Sequence, residues 1–302
     1  MLDPKIYKLI MDKDFLAMSP LELRPYKWAS LLAYESPYIR SRMQEYNSKF
    51  DLIHWMSFWT EKDRIVSPFD GHPEFERFKK KSSEAHQTVF KFLFDDEILK
   101  KKLHFGYDIY NAIDFFIISQ HCDNFDVTLD FGSGYGRLAA MFSYKENKKT
   151  YISVDCIEST YILQNLFLSL LKPKNFHEYF DYEFLNKKIN IKQNNSIYHI
   201  PTWKMNLIEN ESVNLIVSIF VLPEINEFAL KNFISESRRV LKKNGYLYIR
   251  DHLYQTGEKN HRGAHKLNTE KELSENGFKL IFKSDYKDNV DIYGTPRIYK
   301  KI

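Results

Sequence analysis

The chain has 302 residues, 43% of them hydrophobic and 28% charged, which is enough apolar material for one large core or two unequal domains. The net charge of +4 is mild. It permits an anionic substrate without demanding nucleic acid, for which a concentrated basic stripe would be expected. Two cysteines, Cys122 and Cys156, are too few for a disulfide scaffold or a cysteine-rich zinc site.

No targeting or membrane-spanning segment is visible in the sequence. The first residues lack the apolar stretch and small-residue cleavage site of a signal peptide. The apolar run 213–221 is too short to span a bilayer and suits a buried strand. Two isolated thiols suit a reducing compartment, so we expect a soluble cytoplasmic protein that does not enter a membrane. No sequence feature indicates an oligomeric state.

Residues 1–119 are predicted to form a helical N-terminal region ahead of a second domain at 120–302. Apolar residues recur at helical spacing, and several X-Pro pairs divide the region into short helices. An aromatic cluster consists of Trp28, Trp55, Phe58 and Trp59. One possibility is that these residues pack the helices onto the second domain. The other is that they line a pocket for a sugar or other ligand, since aromatic faces suit apolar sugar surfaces. A helix over 106–121 leads into the core.

From residue 126 onward, strands and helices alternate, which is typical of a mostly parallel sheet with helices on both faces. The apolar runs predict strands at Val127–Phe131, 151–154, 189–192, 213–220 and 246–250, and two further strands at 279–283 and 297–300. Helices are predicted from 136 to about 144, from 159 to 171, from 226 to 241, and from a capping box at 269–272 to 276. Residues 174–188 are polar and aromatic and are predicted to be an excursion from the sheet.

The first predicted strand runs directly into a glycine-rich turn of the form D-x-G-x-G-x-G. Asp130 stands at its head, and Gly132, Gly134 and Gly136 occupy alternate positions, where the lack of a Cβ lets the backbone turn sharply. Such a turn, at the carboxyl end of a strand and the start of a helix, brings a ligand close to the main chain. The spacing differs from the G-x-G-x-x-G dinucleotide fingerprint and lacks the G-K-[ST] of a P-loop. The alternative is a tight strand-to-helix turn that binds nothing.

This turn resembles motif I of the class I S-adenosylmethionine-dependent methyltransferases. The order of elements after it fits the same family, in which the last two strands form an antiparallel hairpin. Two further segments, 153–161 and 217–226, resemble the corresponding parts of bacterial sugar O-methyltransferases. The resemblance implies an α/β fold with a Rossmann-like, mostly parallel sheet and an antiparallel last strand. It also implies S-adenosylmethionine as the cofactor and S-adenosylhomocysteine as the product.

The same resemblance implies which residues hold the cofactor. Asp155 ends the second predicted strand, where a carboxylate accepts two hydrogen bonds from a ribose; the alternatives are Glu158 in that role, or Asp155 as a helix cap. Asn195 and Ser196 follow the third predicted strand, where family members contact adenine, and an asparagine-rich turn is the alternative. Asp130 is expected to orient the glycine turn and to approach the methionine amino group. The full predicted set is Asp130, Phe131, Gly132, Ser133, Gly134, Tyr135, Gly136, Asp155, Cys156, Asn195, Ser196 and Phe220.

Methyl transfer to oxygen requires the acceptor hydroxyl in line with the methyl group, together with a base or a positioning hydrogen bond. Candidates at the carboxyl ends of the fourth and fifth predicted strands are Glu224, Asp251 and His252. His252 is the first choice, because an imidazole titrates near neutral pH; the alternative is that it only bonds loop backbone. His261 and His265 have a metal-ligand spacing without a further ligand beside them, so no metal is predicted.

These observations predict an S-adenosylmethionine-dependent methyltransferase whose partner is a small molecule such as a sugar or glycan precursor. One alternative is a nucleic-acid or protein methyltransferase. Against a nucleic-acid substrate, segment 218–223 lacks the Asn/Asp-Pro-Pro-Tyr/Phe motif with which amino-directed enzymes grip a flipped base. The other alternative is a non-catalytic binding module that keeps the fold, against which the intact glycine turn and Asp155 argue.

Overall fold

The computed structural model describes the chain in several ranges. These are residues 52, 67–93, 107–143, 149–155, 158–171, 174–179, 188–189, 191, 195–225, 227–251, 265–284 and 294–302. Within them, eight strands form one sheet, which is flanked by α-helices and short 3₁₀ turns. No helix of these ranges has the length and apolar character needed to cross a membrane.

The strands and helices have the following bounds. The strands are β1 Val127–Phe131, β2 Thr150–Asp155, β3 Phe176–Glu178, β4 Ile197–Pro201, β5 Val213–Ile219, β6 Leu241–Asp251, β7 Phe278–Lys283 and β8 Thr295–Lys301. The helices are α1 Pro73–Leu93, α2 Tyr107–His121, α3 Ala139–Ser143, α4 Glu158–Leu171, α5 Glu227–Val240 and α6 Thr269–Glu275. Two 3₁₀ turns span Thr202–Leu207 and Leu222–Glu224.

The strands lie in the order β3-β4-β2-β1-β5-β6-β8-β7. Neighbouring strands are parallel except where β8 takes part, since β8 is antiparallel to both β6 and β7. The last strand of the chain is therefore inserted, antiparallel, beside the edge strand β7. This arrangement confirms the predicted fold class, an α/β fold with a Rossmann-like, mostly parallel sheet and an antiparallel last strand.

The sheet is covered on both faces, which explains why its central strands read as continuous apolar runs. Every residue of β1 and β2 is buried. One face packs against α1 to α4, and the other packs against α5, α6 and the turn Thr202–Leu207. On the second face, the rings of Phe131 and Phe233 lie 4.5 Å apart between their centroids. Both faces of the sheet are therefore covered, and the glycine turn lies at the carboxyl end of β1.

The described part of the N-terminal region packs directly on the sheet. Helix α1 begins at Pro73, a favoured first helical residue, with Glu74 and Glu76 near its positive end. Its buried side chains join the same core as α2 and one face of the sheet. The predicted domain boundary between residues 119 and 120 stays a prediction, and α1 and α2 show no separate core of their own. The predicted aromatic cluster at 28–59 lies outside the described residues.

The predicted position of the third strand, at 189–192, is wrong. The strand that pairs with β2 is β4, in register from Tyr151 opposite Ile197 to Asp155 opposite Pro201. Residues 189 and 208 instead form an isolated parallel bridge. The predicted excursion at 174–188 contains the edge strand β3, which pairs with β4. Segments 189–192 and 197–200 each carry two isoleucines within four residues, so periodicity alone does not choose between them.

The other strands and helices predicted after residue 105 are present, most of them with shifted ends. The largest shift is in β6, which begins at Leu241, immediately after α5, rather than at residue 246. The predicted helix cap at Thr269 is wrong by one residue, because the Asn268 side chain accepts the hydrogen bond from the Lys271 N–H at 3.1 Å. Gly277, with a φ of +82°, ends that helix as predicted.

One buried carboxylate ties α2 to the sheet. Asp114 accepts hydrogen bonds from Arg250 Nε at 2.6 Å and Nη2 at 2.9 Å, and from the Tyr248 hydroxyl at 2.6 Å. Arg137, which follows the glycine turn, donates to the same carboxylate at 3.1 Å. Burial raises the pKa of Asp114, but the two guanidinium groups outweigh this effect and hold the pKa below its usual range. Asp114 therefore joins α2, β6 and the glycine turn in one ion network.

Asp114→Ala is expected to lower the free energy of unfolding by about 3–5 kcal/mol, because it leaves the charges of Arg250 and Arg137 buried without their carboxylate. Urea unfolding at neutral pH measures the change. Lys231→Ala is the control, since Lys231 and Glu227 form an exposed pair one helical turn apart, and such pairs contribute little. Equal losses in the two variants would contradict the role assigned to Asp114.

Candidate functional site

The glycine-rich turn joins β1 to α3 at the carboxyl ends of the central strands. Its glycines adopt the left-handed region, with φ of +73° at Gly132, +60° at Gly134 and +84° at Gly136. A residue with a side chain would be strained at each of these positions. The turn is pinned to the neighbouring strand, because the Gly132 N–H donates to the Val154 carbonyl at 2.8 Å. It is closed by a 2.9 Å hydrogen bond from the Gly136 N–H to the Ser133 carbonyl.

The three glycines differ in what surrounds them. A Cβ at Gly132 would lie 2.2 Å from Val221 Cγ2, and a Cβ at Gly136 would lie 2.9 Å from Leu168 Cδ2. At Gly134, no heavy atom of the described residues lies within 4 Å of the corresponding position. A side chain at 132 or 136 would therefore force Val221 or Leu168 to shift, whereas no described residue fills the space beside Gly134. A ligand can approach the backbone closely there.

The predicted ribose carboxylate lies beside this turn. Asp155 ends β2 and is buried. The Gln164 carboxamide, on α4, donates to the Gly134 carbonyl at 2.6 Å and to Asp155 Oδ2 at 2.9 Å. One buried side chain thus joins the open glycine to the carboxylate. Sequence analysis missed Gln164, although a polar residue between Leu163 and Phe167 on an apolar helical stripe was a signal for it.

A second group of buried polar side chains lies behind Gln164. His199, on β4, has its Nε2 2.9 Å from Gln164 Oε1 and its Nδ1 2.7 Å from Glu178 Oε2. The Tyr161 ring stacks on the imidazole, with the ring centroids 3.7 Å apart. Neither His199 nor Glu178 was identified from the sequence, because both lie on strands that the apolar pattern does not locate.

Asp130, at the head of the motif, is buried on the face of the sheet that α1 to α4 cover. The Tyr151 hydroxyl donates a hydrogen bond to Asp130 Oδ2. Burial raises the pKa of Asp130 to about 7, against the lowering effects of Tyr151 and Arg137. A carboxyl group with this pKa exchanges its proton near neutral pH, and a cationic partner would favour its charged form. The predicted roles of Asp130, orienting the turn and approaching a methionine amino group, stay predictions.

Tyr135 connects the glycine turn to the N-terminal helices. Its hydroxyl lies 2.8 Å from Nε2 of His86 on α1, and Nδ1 of His86 lies 2.6 Å from Oδ1 of Asp108 on α2. The Ser82 hydroxyl donates to the same Asp108 oxygen at 2.6 Å. The turn is therefore braced from α1 and α2 as well as from the sheet.

The other predicted neighbours of the cofactor have identifiable packing roles. Phe131 packs against α5, and the Ser133 hydroxyl lies 2.6 Å from the Ser153 hydroxyl. Phe220 follows β5 with a φ of +57°, which is rare for an aromatic residue. Strain of this kind persists where the surroundings enforce it, often at functional sites. Cys156 lies outside the described residues.

Asn195 and Ser196 do not lie beside the glycine turn. They precede β4 and therefore lie at the amino end of the sheet, whereas Asp155 pairs with Pro201 at the carboxyl end. The five residues of β4, at about 3.3 Å per residue, separate Asn195 and Ser196 from the carboxyl end of the sheet. The prediction that these two residues contact adenine does not fit this geometry, because it depended on the misplaced third strand. Thr202, which begins the 3₁₀ turn after β4, lies at the carboxyl end instead.

The three catalytic candidates have different environments. Asp251, the last residue of β6, is fully buried and forms an ion pair with Arg297 on β8. Burial raises the pKa of Asp251 despite that guanidinium group. Glu224 is half-buried at the end of the 3₁₀ turn that follows β5. His252 lies outside the described residues, and the catalytic roles of all three stay predictions.

In the described ranges, no three His, Cys, Asp or Glu side chains gather in a way that would hold a metal ion. His265 uses both ring nitrogens on the backbone. Its Nε2 lies 2.9 Å from the Leu222 carbonyl, and its Nδ1 accepts from the Leu267 N–H at 3.1 Å. His261, which has a metal-ligand spacing from His265, lies outside the described residues.

The likeness of this chain to known proteins concerns its fold. No protein-family model and no curated protein matches the sequence. Among solved structures, it is similar to 1,6-didemethyltoxoflavin-N1-methyltransferase from Burkholderia thailandensis, solved with S-adenosylhomocysteine, at 12% identity over 80% of this chain and 97% of that one, with a TM-score of 0.45. It is also similar to a SAM-dependent methyltransferase from Aquifex aeolicus, at 15% identity over 71% of this chain and 97% of that one, with a TM-score of 0.43. A TehB-like SAM-dependent methyltransferase from Corynebacterium glutamicum has 17% identity over 73% of this chain and 98% of that one, with a TM-score of 0.42.

All three are methyltransferases. Identities and scores this low assign neither a substrate nor an activity to this chain, so its function has to be inferred from its own residues.

Gly132→Ala is expected to destabilise the protein by about 1–3 kcal/mol more than Gly134→Ala, because only the first forces a methyl group into Val221. Gly277→Ala is the control for backbone strain alone, since Gly277 has a φ of +82° and its nearest neighbouring atoms would lie 3.5 Å from a Cβ. Urea unfolding of the three variants without ligand measures the losses. A loss for Gly134→Ala as large as that for Gly132→Ala would contradict the open space at Gly134.

Asp130→Asn is expected to change how stability depends on pH. The pKa of Asp130 is raised from 3.8 to about 7, so the folded protein binds this proton more tightly than the unfolded chain does. Between about pH 4 and 7 the unfolded chain loses this proton while the folded protein keeps it, so the fold becomes less stable as the pH rises, by up to about 1.4 kcal/mol per pH unit. Urea unfolding at pH 5 and pH 7 should show a smaller decrease in the variant than in the wild type. Equal decreases would contradict the raised pKa.

Proposed function

We propose that this chain is an S-adenosylmethionine-dependent methyltransferase that methylates an oxygen of a small molecule, such as a sugar or glycan precursor. The observation that carries the proposal is the open, left-handed Gly134, joined through Gln164 to the carboxylate of Asp155. Open main chain suits a closely held ligand, and a carboxylate suits a ribose diol. Both lie at the carboxyl ends of β1 and β2, where open α/β sheets bind their ligands.

The proposed cofactor contacts follow from these positions. Asp155 would accept hydrogen bonds from two ribose hydroxyls. Gly134 would present its main chain to the ligand. Asp130, whose pKa of about 7 allows it to ionise, would attract the amino group of the methionine moiety. Phe220 and Thr202, after β5 and β4, would border the same cleft.

Bound S-adenosylmethionine supplies an electrophilic methyl group on a sulfonium. The residues of the chain then have to align the acceptor hydroxyl and to receive the proton that it loses. We assign that role to His252 or Glu224, which follow β6 and β5. Asp251 fits it less well, because its carboxylate is buried against Arg297 and holds β6 to β8.

The proposed acceptor class rests on the sequence. Segments 153–161 and 217–226 resemble bacterial sugar O-methyltransferases, which favours a hydroxyl of a saccharide as the methylated group. We further propose that residues 1–119 shape the acceptor site and that the enzyme works in the cytoplasm. The diffuse positive charge and the absence of the base-gripping motif after β5 make nucleic acid the weaker candidate.

Asp155→Ala is expected to weaken the binding of S-adenosylhomocysteine at least tenfold, because the ribose loses hydrogen bonds to a charged group, worth about 1.5–3 kcal/mol. Isothermal titration calorimetry with S-adenosylmethionine and S-adenosylhomocysteine measures the dissociation constants. Lys231→Ala, an exposed position on α5, is the control and should bind as the wild type does. No binding by folded wild-type protein would overturn the cofactor proposal.

An acceptor screen then tests the second half of the proposal. It begins with nucleotide sugars and glycans and measures the formation of S-adenosylhomocysteine. Methylation of RNA or protein instead of these compounds would replace the proposed acceptor. Cofactor binding without turnover on any acceptor would favour a non-catalytic module.

A further inference from the structure

We infer that Gln164 is the positioning residue that holds the glycine turn and the Asp155 carboxylate in the geometry that the cofactor needs, with its amide orientation fixed by His199 and Glu178. This inference rests on the proposed cofactor site and names residues that neither the motif nor the resemblance assigns. It concerns pre-organisation, which raises affinity by reducing what must be ordered on binding.

The hydrogen bonds of Gln164 are compatible with only one orientation of its side-chain amide. A carboxamide has two N–H donors and an oxygen with two lone pairs. The two donors are directed at groups that accept, the Gly134 carbonyl at 2.6 Å and Asp155 Oδ2 at 2.9 Å. The oxygen is 2.9 Å from the Ser153 hydroxyl and 2.9 Å from Nε2 of His199. Rotating the amide by 180° would place oxygen against oxygen on the side of the glycine turn.

That orientation requires a proton on Nε2 of His199, because Gln164 Oε1 can only accept. The other ring nitrogen, Nδ1, lies 2.7 Å from Glu178 Oε2. Glu178 also accepts hydrogen bonds from the Tyr179 N–H at 2.8 Å and from the Asn165 amide at 2.6 Å. Glu178 therefore holds the imidazole from its Nδ1 side, which leaves Nε2 directed at Gln164.

Charged and titratable groups lie near His199 on the neighbouring strands and on α4. They are Glu178 on β3, Tyr161 on α4 and, through Gln164, Asp155 on β2. The Lys204 ammonium, in the 3₁₀ turn after β4, lies 5.4 Å from the ring centre of Tyr179. His199 therefore has one direct carboxylate partner and a second carboxylate reached through the Gln164 amide.

Gln164 and its polar partners are buried, so the loss of one of its hydrogen bonds is costly. Gln164 and His199 have no exposed surface, and Glu178 and Asp155 are 7% and 5% exposed. Water therefore has little access to replace a lost donor, and an unmade hydrogen bond leaves a desolvated oxygen on the Gly134 carbonyl or on Asp155. The same loss would let the carboxylate and the turn move relative to each other.

Gln164→Glu is expected to weaken the binding of S-adenosylhomocysteine at least tenfold at pH 8, because a carboxylate oxygen would replace the donor that faces Asp155 and the Gly134 carbonyl. As the pH falls to 5.5, a proton on the introduced carboxylate restores one donor, and the affinity should recover at least threefold relative to the wild type at the same pH. Gln164→Met, similar in length but without donors or titration, should bind at least tenfold more weakly than the wild type at both pH values. Calorimetric dissociation constants and thermal unfolding midpoints are measured for each variant.

Glu178→Gln and His199→Phe form a matched pair that tests the orientation of the amide. In Glu178→Gln, the imidazole is retained and can still donate from Nε2 to Gln164, so the affinity should fall less than in His199→Phe. In His199→Phe, the donor to Gln164 is lost and the affinity should fall at least fivefold. Equal affinities for these two variants would overturn the role given to His199.

The outcomes separate this inference from the proposed function. If wild type binds S-adenosylhomocysteine and Asp155→Ala weakens it, while Gln164→Met binds within threefold of wild type, the inference alone is overturned. A Gln164→Glu variant that binds as weakly at pH 5.5 as at pH 8, relative to the wild type, would also overturn it, because a restored donor would then have no effect on binding. If Gln164→Glu does not fold, Gln164→Met and the Glu178 and His199 pair decide the question. If folded wild type binds no cofactor, the proposed function fails, and the inference fails with it.

Discussion

The buried carboxylate of Asp114 is the constraint on which the arrangement of this fold depends. It is the point where α2, β6 and the segment after the glycine turn meet, through Arg250 and Arg137. Removing such charges from water costs several kcal/mol per ion unless each one is paired and hydrogen-bonded, so these elements cannot shift past one another freely. Arg250 also lies between two rings, with its guanidinium carbon 5.4 Å from the centre of Tyr110 and 4.9 Å from that of Phe220. The strained backbone of Phe220 is thus accompanied by a contact in which its ring covers the buried guanidinium group of Arg250.

The glycine turn is positioned by contacts with neighbouring elements and not by its glycines. Glycines offer no side-chain contacts, and left-handed backbone is not favoured over other conformations in an isolated chain. Two separate groups of buried polar residues hold the turn. Gln164 bonds its main chain from the side of β2 and β4, and Tyr135 joins it to His86 and Asp108 on the side of α1 and α2. The helices of the N-terminal region thus take part in forming the candidate site, although they precede the motif by many residues.

The parts of this structure that could be predicted from sequence are those that depend on neighbouring residues. The acid and the alternate glycines specify the turn, and the end of an apolar run locates Asp155 beside it. The strand at β4 could not be placed, because residues 189–192 have a comparable pattern and only pairing with β2 distinguishes the two. The same applies to the group around Gln164, whose contacts with His199 and between His199 and Glu178 span 35 and 21 residues. A polar residue on an apolar stripe indicates that a side chain is buried with a partner, but it does not indicate which partner.

The glycines of the motif D-x-G-x-G-x-G meet two different physical requirements, close packing and room for a ligand. The sequence alone does not show which glycine meets which requirement. A Cβ at Gly132 or Gly136 would displace the side chain of Val221 or Leu168. A protein that bound nothing would still favour glycine at both positions. Gly134 is different, because the space around its Cβ position is open and its carbonyl is fixed by Gln164. The strongest structural argument for a ligand therefore lies in the middle glycine and in the side chain that holds it, rather than in the motif as a whole.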